Sequence, residues 1–156
     1  MRSCDTNILL YSLNRDCGEH RAAVAYMEQV AEAGDFAICE LVLVELYLLL
    51  RTPAVLSRPL GAIEAWKVVN RYRTNPHWQV IDYPGSLMRR IWERAGSQDF
   101  PRRAIFDARL ALTLRHHGVK EFATRNVNHF RGYGFMKVVN PIDGGSGLGR
   151  AGQGKI

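Results

Sequence analysis

Short apolar segments alternate with longer segments of helical periodicity over the first 142 residues. The short segments predict five strands, at Arg2–Cys4, Phe36–Cys39, Trp78–Ile81, Glu121–Ala123 and Lys137–Val139. The longer segments predict helices at 18–33, 41–50, 61–73, 86–94 and 103–117, the last of them ended by Gly118. Strands that alternate with helices predict an α/β fold, in which a mostly parallel sheet of five short strands lies between two layers of helices.

The glycine content rises sharply after residue 142. The last fourteen residues, 143–156, contain six glycines and offer little apolar surface that could be buried. Such a composition predicts a flexible tail. We therefore expect one domain over residues 1–142, a length that suits a single hydrophobic core.

The charge balance is basic, because 21 Lys and Arg residues outnumber 15 Asp and Glu residues and give a net charge of +6. The segment 143–156 carries Asp143, Arg150 and Lys155, a net +1, so +5 belongs to the domain. A basic surface favours polyanionic partners, with nucleic acid ahead of an anionic membrane.

Cysteine use and hydropathy point to the cytoplasm. The chain has three cysteines and no C-x-x-C pair, a pattern that indicates neither a disulfide framework nor a cysteine zinc site. The most apolar run, residues 41–50, is far shorter than the ~20 residues that a membrane helix needs. The sequence therefore predicts a cytoplasmic protein that does not cross a membrane.

Two carboxylates stand where acidic residues are unusual. Asp5 directly follows the first predicted strand, where ligands gather in parallel sheets, although Asp is also a preferred residue for capping a helix. Glu45 is the one polar residue in the run 41–50, which predicts a helix buried nearly all round. A buried carboxylate needs a compensating cation or hydrogen-bond donors, so Glu45 is either a metal ligand or half of an ion pair with an arginine.

Two later positions complete a set of oxygen donors. Asp107 lies in an otherwise mostly apolar helix, where Arg103 is placed four residues earlier as an alternative ion-pair partner. The run Thr124-Arg125-Asn126 follows the fourth predicted strand, and its Thr and Asn also suit a turn. Together these positions offer the oxygen ligands that Mg²⁺ or Mn²⁺ prefers.

Five segments of this chain together form a recognisable pattern. They are Asp5-Thr6-Asn7-Ile8-Leu9-Leu10-Tyr11, Glu45-Leu46-Tyr47, Phe106-Asp107-Ala108-Arg109-Leu110-Ala111, Ala123-Thr124-Arg125-Asn126 with Phe130, and Val138-Val139-Asn140-Pro141. In its order and spacing this pattern resembles the PIN-domain ribonucleases, and among them the VapC-type toxins of bacterial toxin–antitoxin pairs. The resemblance implies a PIN-like three-layer fold.

The resemblance also implies roles for individual residues. Asp5, Glu45 and Asp107 become the catalytic and metal-binding carboxylates, with Thr6, Asn7 and Thr124 in support. The family often has a fourth acidic residue where this chain has Asn126. An amide oxygen can still coordinate a cation but carries no charge, so the number of ions, one or two, stays open.

The activity that follows from the resemblance is Mg²⁺- or Mn²⁺-dependent hydrolysis of RNA, leaving a 5′-phosphate and a 3′-hydroxyl. A single-stranded substrate enters a narrow acidic site more readily than a duplex does. Arginines near the motifs are candidates for contacts with phosphates, namely Arg15, Arg102, Arg103, Arg109, Arg125 and Arg131.

Two alternatives stay open. The first is a catalytically impaired PIN-like protein that binds RNA without cutting it, because Asn126 replaces the fourth acidic residue. The second is a phosphatase of the haloacid-dehalogenase type, although that family has a second Asp where this chain has Asn7.

The expected partners are an RNA substrate, a cognate antitoxin protein and a second copy of the chain. The antitoxin and the homodimer are implied by the resemblance. The segment 51–60, with its prolines and apolar residues, is a candidate for the dimer contact, and covering the core is its alternative role.

Overall fold

The fold is built on one sheet of five parallel strands, seen in a computed structural model that describes residues 1–143. The strands are β1 (Arg2–Cys4), β2 (Phe36–Cys39), β3 (Trp78–Ile81), β4 (Glu121–Ala123) and β5 (Lys137–Val139). Their order across the sheet is β3-β2-β1-β4-β5, and every neighbouring pair is parallel. The predicted strands and the α/β class are confirmed. The predicted flexible tail lies, from residue 144 onward, outside the described residues.

Seven helices connect the strands within residues 1–143. They are α1 (Thr6–Leu13), α2 (His20–Val30), α3 (Glu40–Leu50), α4 (Ala62–Arg73), α5 (Leu87–Ala95), α6 (Ala104–His116) and α7 (Val127–Phe130). The sequence predicted α2 to α6 but not α1 and α7, which are too short to show clear periodicity. Gly118 follows α6 with a φ of 79°, a left-handed conformation that favours glycine.

The sheet is covered on both faces. All four residues of β2 are buried, and successive side chains of a strand point to opposite faces, so neither face of β2 meets solvent. Helix α1 packs against α2 and α3, and α3 packs against α4, whereas α6 packs against α5 and α7. The chain reverses direction across the sheet after β3. Since crossovers between parallel strands follow a right-handed rule, we infer that these two groups of helices lie on opposite faces. The arrangement is the three-layer fold that the resemblance implied.

Helix α3 differs from the sequence prediction of a helix buried nearly all round. Val42, Leu43, Leu46 and Leu50 are buried, but one face is open. On that face Val44 is 57% exposed and Leu48 is 59% exposed, and Glu45 lies between them as an exposed residue. The prediction was wrong because an apolar sequence does not reveal which face of a helix lacks a packing partner.

Two further expectations concern surfaces. In the segment 51–60, Val55, Leu56 and Leu60 pack against the core, so these three apolar residues serve the covering role that was the alternative to a dimer contact. Among residues 1–143, no helix is long and apolar enough to cross a membrane.

Candidate active site

The candidate site lies where the chain changes direction across the sheet, at the carboxyl ends of β1 and β4. These strands are neighbours, with Cys4 opposite Ala123 in the register. Asp5 and Thr124 directly follow them, and the Asp5 backbone N–H donates to the Ala123 carbonyl oxygen at 2.8 Å. In parallel sheets, such a reversal opens a crevice beyond the strand ends, where ligands bind.

Asp5 forms the floor of the site and is held by three hydrogen bonds. Its Oδ1 accepts from the Thr6 backbone N–H at 2.8 Å, and its Oδ2 accepts from the Thr124 hydroxyl at 2.6 Å and from Asn7 Nδ2 at 2.7 Å. Asp5 is only 8% exposed and stands at the N-cap of α1. The capping role considered for Asp5 is therefore real, and it leaves Oδ2 directed at the neighbouring strand end.

The ionisation of Asp5 is disfavoured by its surroundings. Burial is the largest cause that raises the pKa of Asp5, and the charges of Glu45 and Asp107 act in the same direction. The hydrogen bonds from Thr124 and Thr6 lower the pKa, and the net result of all these effects is a pKa of about 6. Within residues 1–143, no Lys or Arg forms an ion pair with any of these three carboxylates. The site is thus a cluster of negative charge that no Lys or Arg of the described residues neutralises.

Glu45 reaches the site from the open face of α3. The Thr6 hydroxyl donates to Glu45 Oε2 at 2.5 Å, which links Glu45 to the first turn of α1, next to Asp5. The ion pair with an arginine that the sequence left open for Glu45 is not formed within the described residues.

Asp107 approaches from α6 and has a different partner from the one considered in the sequence. Its Oδ2 lies 3.1 Å from His129 Nδ1, on α7, and not in an ion pair with Arg103. Both Asp107 and His129 are partly open to solvent.

Thr124 connects Asp5 to Asn126. The Thr124 side chain is fully buried, and its oxygen accepts from the Asn126 backbone N–H at 3.0 Å while its hydroxyl donates to Asp5. The turn role considered for Thr124 and Asn126 is therefore realised, and it brings Asn126 to the edge of the site.

All four proposed metal-binding residues line one cavity of about 390 Å³, here called the acidic cavity. Its polar lining is Asp5, Thr6, Asn7, Glu45, Asp107 and Asn126, and its apolar lining is Leu10, Leu41, Val44, Leu48, Leu49, Phe106 and Leu110. The polar part offers carboxylate, amide and hydroxyl oxygens, the donors that suit Mg²⁺ or Mn²⁺.

The three carboxylates line this cavity, but they are not close enough together to surround a single metal position. Within residues 1–143, no three His, Cys, Asp or Glu side chains are close enough to form a metal site by themselves. Like charges repel one another, and Glu45 and Asp107 are each held toward a separate partner, Thr6 and His129. An open set still fits Mg²⁺, which is usually bound through one or two carboxylates together with waters and substrate phosphates.

The arginines proposed for RNA contacts are dispersed. Arg15 lines a different cavity, of about 650 Å³, between the ends of α1 and α3. The Arg109 guanidinium lies 4.0 Å from the centre of the Tyr83 ring, and Arg125 pairs with Glu19 while covering the Tyr11 ring. Arg102, Arg103 and Arg131 are exposed. None of the six lines the acidic cavity.

The apolar wall of the acidic cavity was missed at the level of sequence. Leu41, Val44 and Leu48 recur with Glu45 at helical spacing, which places all four on one face of α3. That shared face was the signal that these residues belong with Glu45. Phe106, next to Asp107 and 64% exposed, extends the wall from α6.

Comparison with known protein families identifies the family of the chain. The PIN domain family matches residues 3–135, which include β4, β1 except for its first residue, and all the polar residues of the acidic cavity. The chain belongs to the PIN-domain family. Ribonuclease VapC24 of Mycobacterium tuberculosis strain H37Rv is 53% identical over 142 residues, which are 91% of this chain and 97% of the relative. The protein of strain CDC 1551 matches equally well. The resemblance to VapC-type PIN domains is thus confirmed.

Solved structures share the PIN fold at lower identity. VapC20 of M. tuberculosis, described as a sarcin–ricin loop cleaving toxin, has a TM-score of 0.61 and 17% identity, covering 78% of this chain and 87% of its own. VapBC2 of Rickettsia felis, bound to a promoter DNA fragment, has a TM-score of 0.62 and 17% identity over 89% of this chain and 97% of the other. These similarities confirm the three-layer fold of this PIN domain.

Proposed function

We propose that this PIN domain is a divalent-metal-dependent endoribonuclease and the toxin of a toxin–antitoxin pair. The observation that carries the proposal is the acidic cavity, which Asp5, Glu45 and Asp107 line from three distant parts of the chain, with no Lys or Arg paired to any of them among residues 1–143. Such a cluster is costly for stability, and a bound cation is the ordinary compensation. The 53% identity to a ribonuclease supports RNA as the substrate.

Asp5, Glu45 and Asp107 would hold the ion, Mg²⁺ or Mn²⁺, and Asn126 would add an uncharged oxygen. The chemistry supplied when such an ion is bound is Lewis-acid activation of the phosphodiester and of water. Asp5 is the anchor of this set, because Thr124 and Asn7 both donate to its Oδ2 and fix its orientation.

The remaining residues of the cavity position the substrate. The apolar residues on the open face of α3 and Phe106 form a wall on which a nucleotide can lie, and the carboxylates Glu45 and Asp107 lie beside these residues on α3 and α6. A single-stranded segment suits this arrangement because its backbone can bend into the crevice and its bases are free of pairing.

The decisive experiment is cleavage of single-stranded RNA by the purified protein. We expect cleavage with Mg²⁺ or Mn²⁺, none with a chelator, and none by Asp5→Asn with metal present. Asp99→Asn is the matched control, because Asp99 is exposed and lines none of the cavities described. Equal cleavage under all these conditions would contradict the proposal.

One observation favours a second candidate, an RNA-binding protein that does not cut. Asn126 lines the acidic cavity where relatives of this fold often carry an acid, so the site has one charge fewer. This candidate predicts salt-dependent RNA binding in the same assay without turnover at any metal concentration. Restoring the charge with Asn126→Asp would then create metal-dependent cleavage.

The partner that fits this function is a small antitoxin protein, as in the VapBC complex with the same fold. Expression of the chain alone is expected to arrest growth, and coexpression of the antitoxin to restore it, whereas Asp5→Asn is harmless in both cases. Free cysteines at 4, 17 and 39 suit the reducing cytoplasm, where the RNA substrate is found. Homodimerisation stays a prediction, to be measured by light scattering.

A further inference from the structure

A second cavity adjoins the acidic cavity, and Asn126 lines both of them. The second cavity has a volume of about 300 Å³ and lies between the segment 125–129 and the residues that follow β5. It is called the polar pocket here. Because the two cavities share a wall, a strand whose phosphate reaches the carboxylates can extend into the polar pocket.

The polar pocket carries amide N–H donors that form no hydrogen bond within residues 1–143. The Asn128 side chain forms no hydrogen bond within the described part of the chain, and the Asn140 side chain uses only its Oδ1, which accepts from the Ile142 backbone N–H at 3.1 Å. Each amide therefore presents donors to the pocket, and Asn128 also presents an acceptor. Amides with a donor beside an acceptor are groups that read the edge of an unpaired base.

The apolar wall of the acidic cavity has the contrary chemistry, because it offers aromatic and aliphatic surface and no amide groups. Phe106 is 64% exposed, and it lines the cavity together with Val44 and Leu48. An exposed aromatic ring accepts the face of any base by stacking and does not distinguish among them. The aliphatic neighbours likewise offer no group that forms hydrogen bonds.

We propose, building on the ribonuclease function above, that these two cavities are nucleoside subsites on either side of the scissile phosphate. The base on one side stacks on Phe106 whatever its identity, and the base on the other side is selected in the polar pocket by the amides of Asn128 and Asn140. Sequence preference is therefore confined to one side of the cleaved bond.

The test is cleavage of a single-stranded RNA library, randomised around the cut, in the presence of Mn²⁺. Sequencing both product ends gives the preference on each side of the bond. Asn128→Ala is expected to weaken the preference on one side by roughly ten-fold and to leave the other side unchanged. Asn140→Ser keeps an acceptor for the turn, removes the amide donors, and is expected to act on the same side. Gln98→Ala, an exposed amide outside both cavities, is the matched control.

Replacing Phe106 is expected to change the cleavage rate and not the sequence preference. Phe106→Ala is expected to lower kcat/KM by roughly ten-fold for all sequences alike, and Phe106→Tyr to restore it, because stacking needs only the ring. Trp92→Ala removes an equally exposed aromatic residue outside both cavities and is expected to change nothing.

Three results would overturn the proposal. These are an unchanged preference in both asparagine variants, a preference that shifts in Phe106→Ala, and a Phe106→Ala variant that cuts normally but loses affinity for a protein partner. If the wild-type chain binds RNA without cutting it, the proposed enzymatic function fails separately. The subsites are then tested by sequencing RNA that Asp5→Asn retains, with and without Asn128→Ala, where the same one-sided change is expected.

Discussion

Asp5 and Glu45 face the same cavity but are held in different ways. Asp5 is 8% exposed, follows a central strand, and accepts three hydrogen bonds. Glu45 lies on the open face of α3 and accepts one, from Thr6. Asp107 resembles Glu45, since it is partly exposed and contacts His129. The site thus combines one carboxylate in a fixed position, Asp5, called the floor, with two less constrained carboxylates, Glu45 and Asp107, called the rim. This arrangement suits an ion and a phosphate that bind together.

The largest expected effect comes from lengthening the fixed side chain. Asp5→Glu keeps the charge but displaces the carboxylate by one methylene against Thr124 and Asn7, and we expect kcat/KM to fall by more than about 10²-fold. Glu45→Asp makes the reverse change on the rim and is expected to cost about ten-fold or less. Steady-state cleavage of one RNA substrate measures both. Equal losses would show that floor and rim do not differ.

The second prediction concerns stability against pH in the absence of metal. The pKa of Asp5 in the folded chain is raised from 3.8 to about 6, so between these values the folded state binds more protons than the unfolded state. The free energy of unfolding therefore falls as the pH rises through this window, by at most about 3 kcal/mol from this residue. Below pH 4 Asp5 does not lower the free energy of unfolding, and above pH 6 its destabilising effect is fully present.

Urea denaturation with a chelator, at pH values from 4 to 7, measures this contribution. Asp5→Asn is expected to remove this dependence of the free energy of unfolding on pH and to make the chain more stable than wild type at pH 7. Asp99→Asn is expected to retain the wild-type dependence on pH. Added Mn²⁺ is expected to stabilise the wild-type chain more at pH 7 than at pH 5. A destabilised Asp5→Asn variant at pH 7 would mean that the three hydrogen bonds outweigh burial.

A smaller effect is expected from the hydroxyl that supports the floor. Thr124→Val removes the donor to Asp5 and the acceptor for the Asn126 N–H, and we expect a loss of activity of about 10- to 100-fold, with Thr124→Ser near wild type. The control is Thr113→Val, since among the described residues that buried hydroxyl donates only to the Arg109 carbonyl oxygen, within α6. If Thr124→Val and Thr113→Val behave alike, the hydroxyl of Thr124 only fills space.

The smallest expected effect is on the stability of rim variants. Glu45→Gln removes charge from an exposed helix face and Asp107→Asn from a partly exposed one, so the free energy of unfolding should change by no more than about 0.5 kcal/mol while cleavage is lost. Thermal and urea denaturation measure the first quantity, and the RNA assay measures the second. A large loss of stability would show that Glu45 and Asp107 contribute to the folded structure and are not confined to the rim.

The sequence predicted the sheet more completely than the site. Five strands appeared at their observed bounds because short apolar runs between polar helices have few other structures open to them. Asp5 was found because topology alone places the end of β1 beside a crevice. Glu45 was identified partly on a wrong premise, that of a helix buried on every side. The open face of α3 depends on which helices pack against it, and no local pattern records that.

Contacts between distant residues were beyond sequence reasoning for the same reason. The pairing of Asp107 with His129, and not with Arg103 on its own helix, depends on the packing of α6 against α7. Likewise, Arg109 lies against Tyr83 and Arg125 against Glu19, although both were grouped with the phosphate contacts. The charge of a residue and its position in the sequence indicate which residues could form an ion pair or contact RNA. The residues they actually contact depend on tertiary packing.

The hydrogen bond from Thr124 to Asp5 also determines when the site can be completed during translation. It joins residues 119 positions apart, so a ribosome that has released Asp107 has produced all three carboxylates but not the strand that completes the floor. A nascent or prematurely terminated chain that lacks β4 therefore has no finished site. If the activity is toxic, the protein is harmless through most of its own translation, and an antitoxin need only be present when the last third of the domain leaves the ribosome.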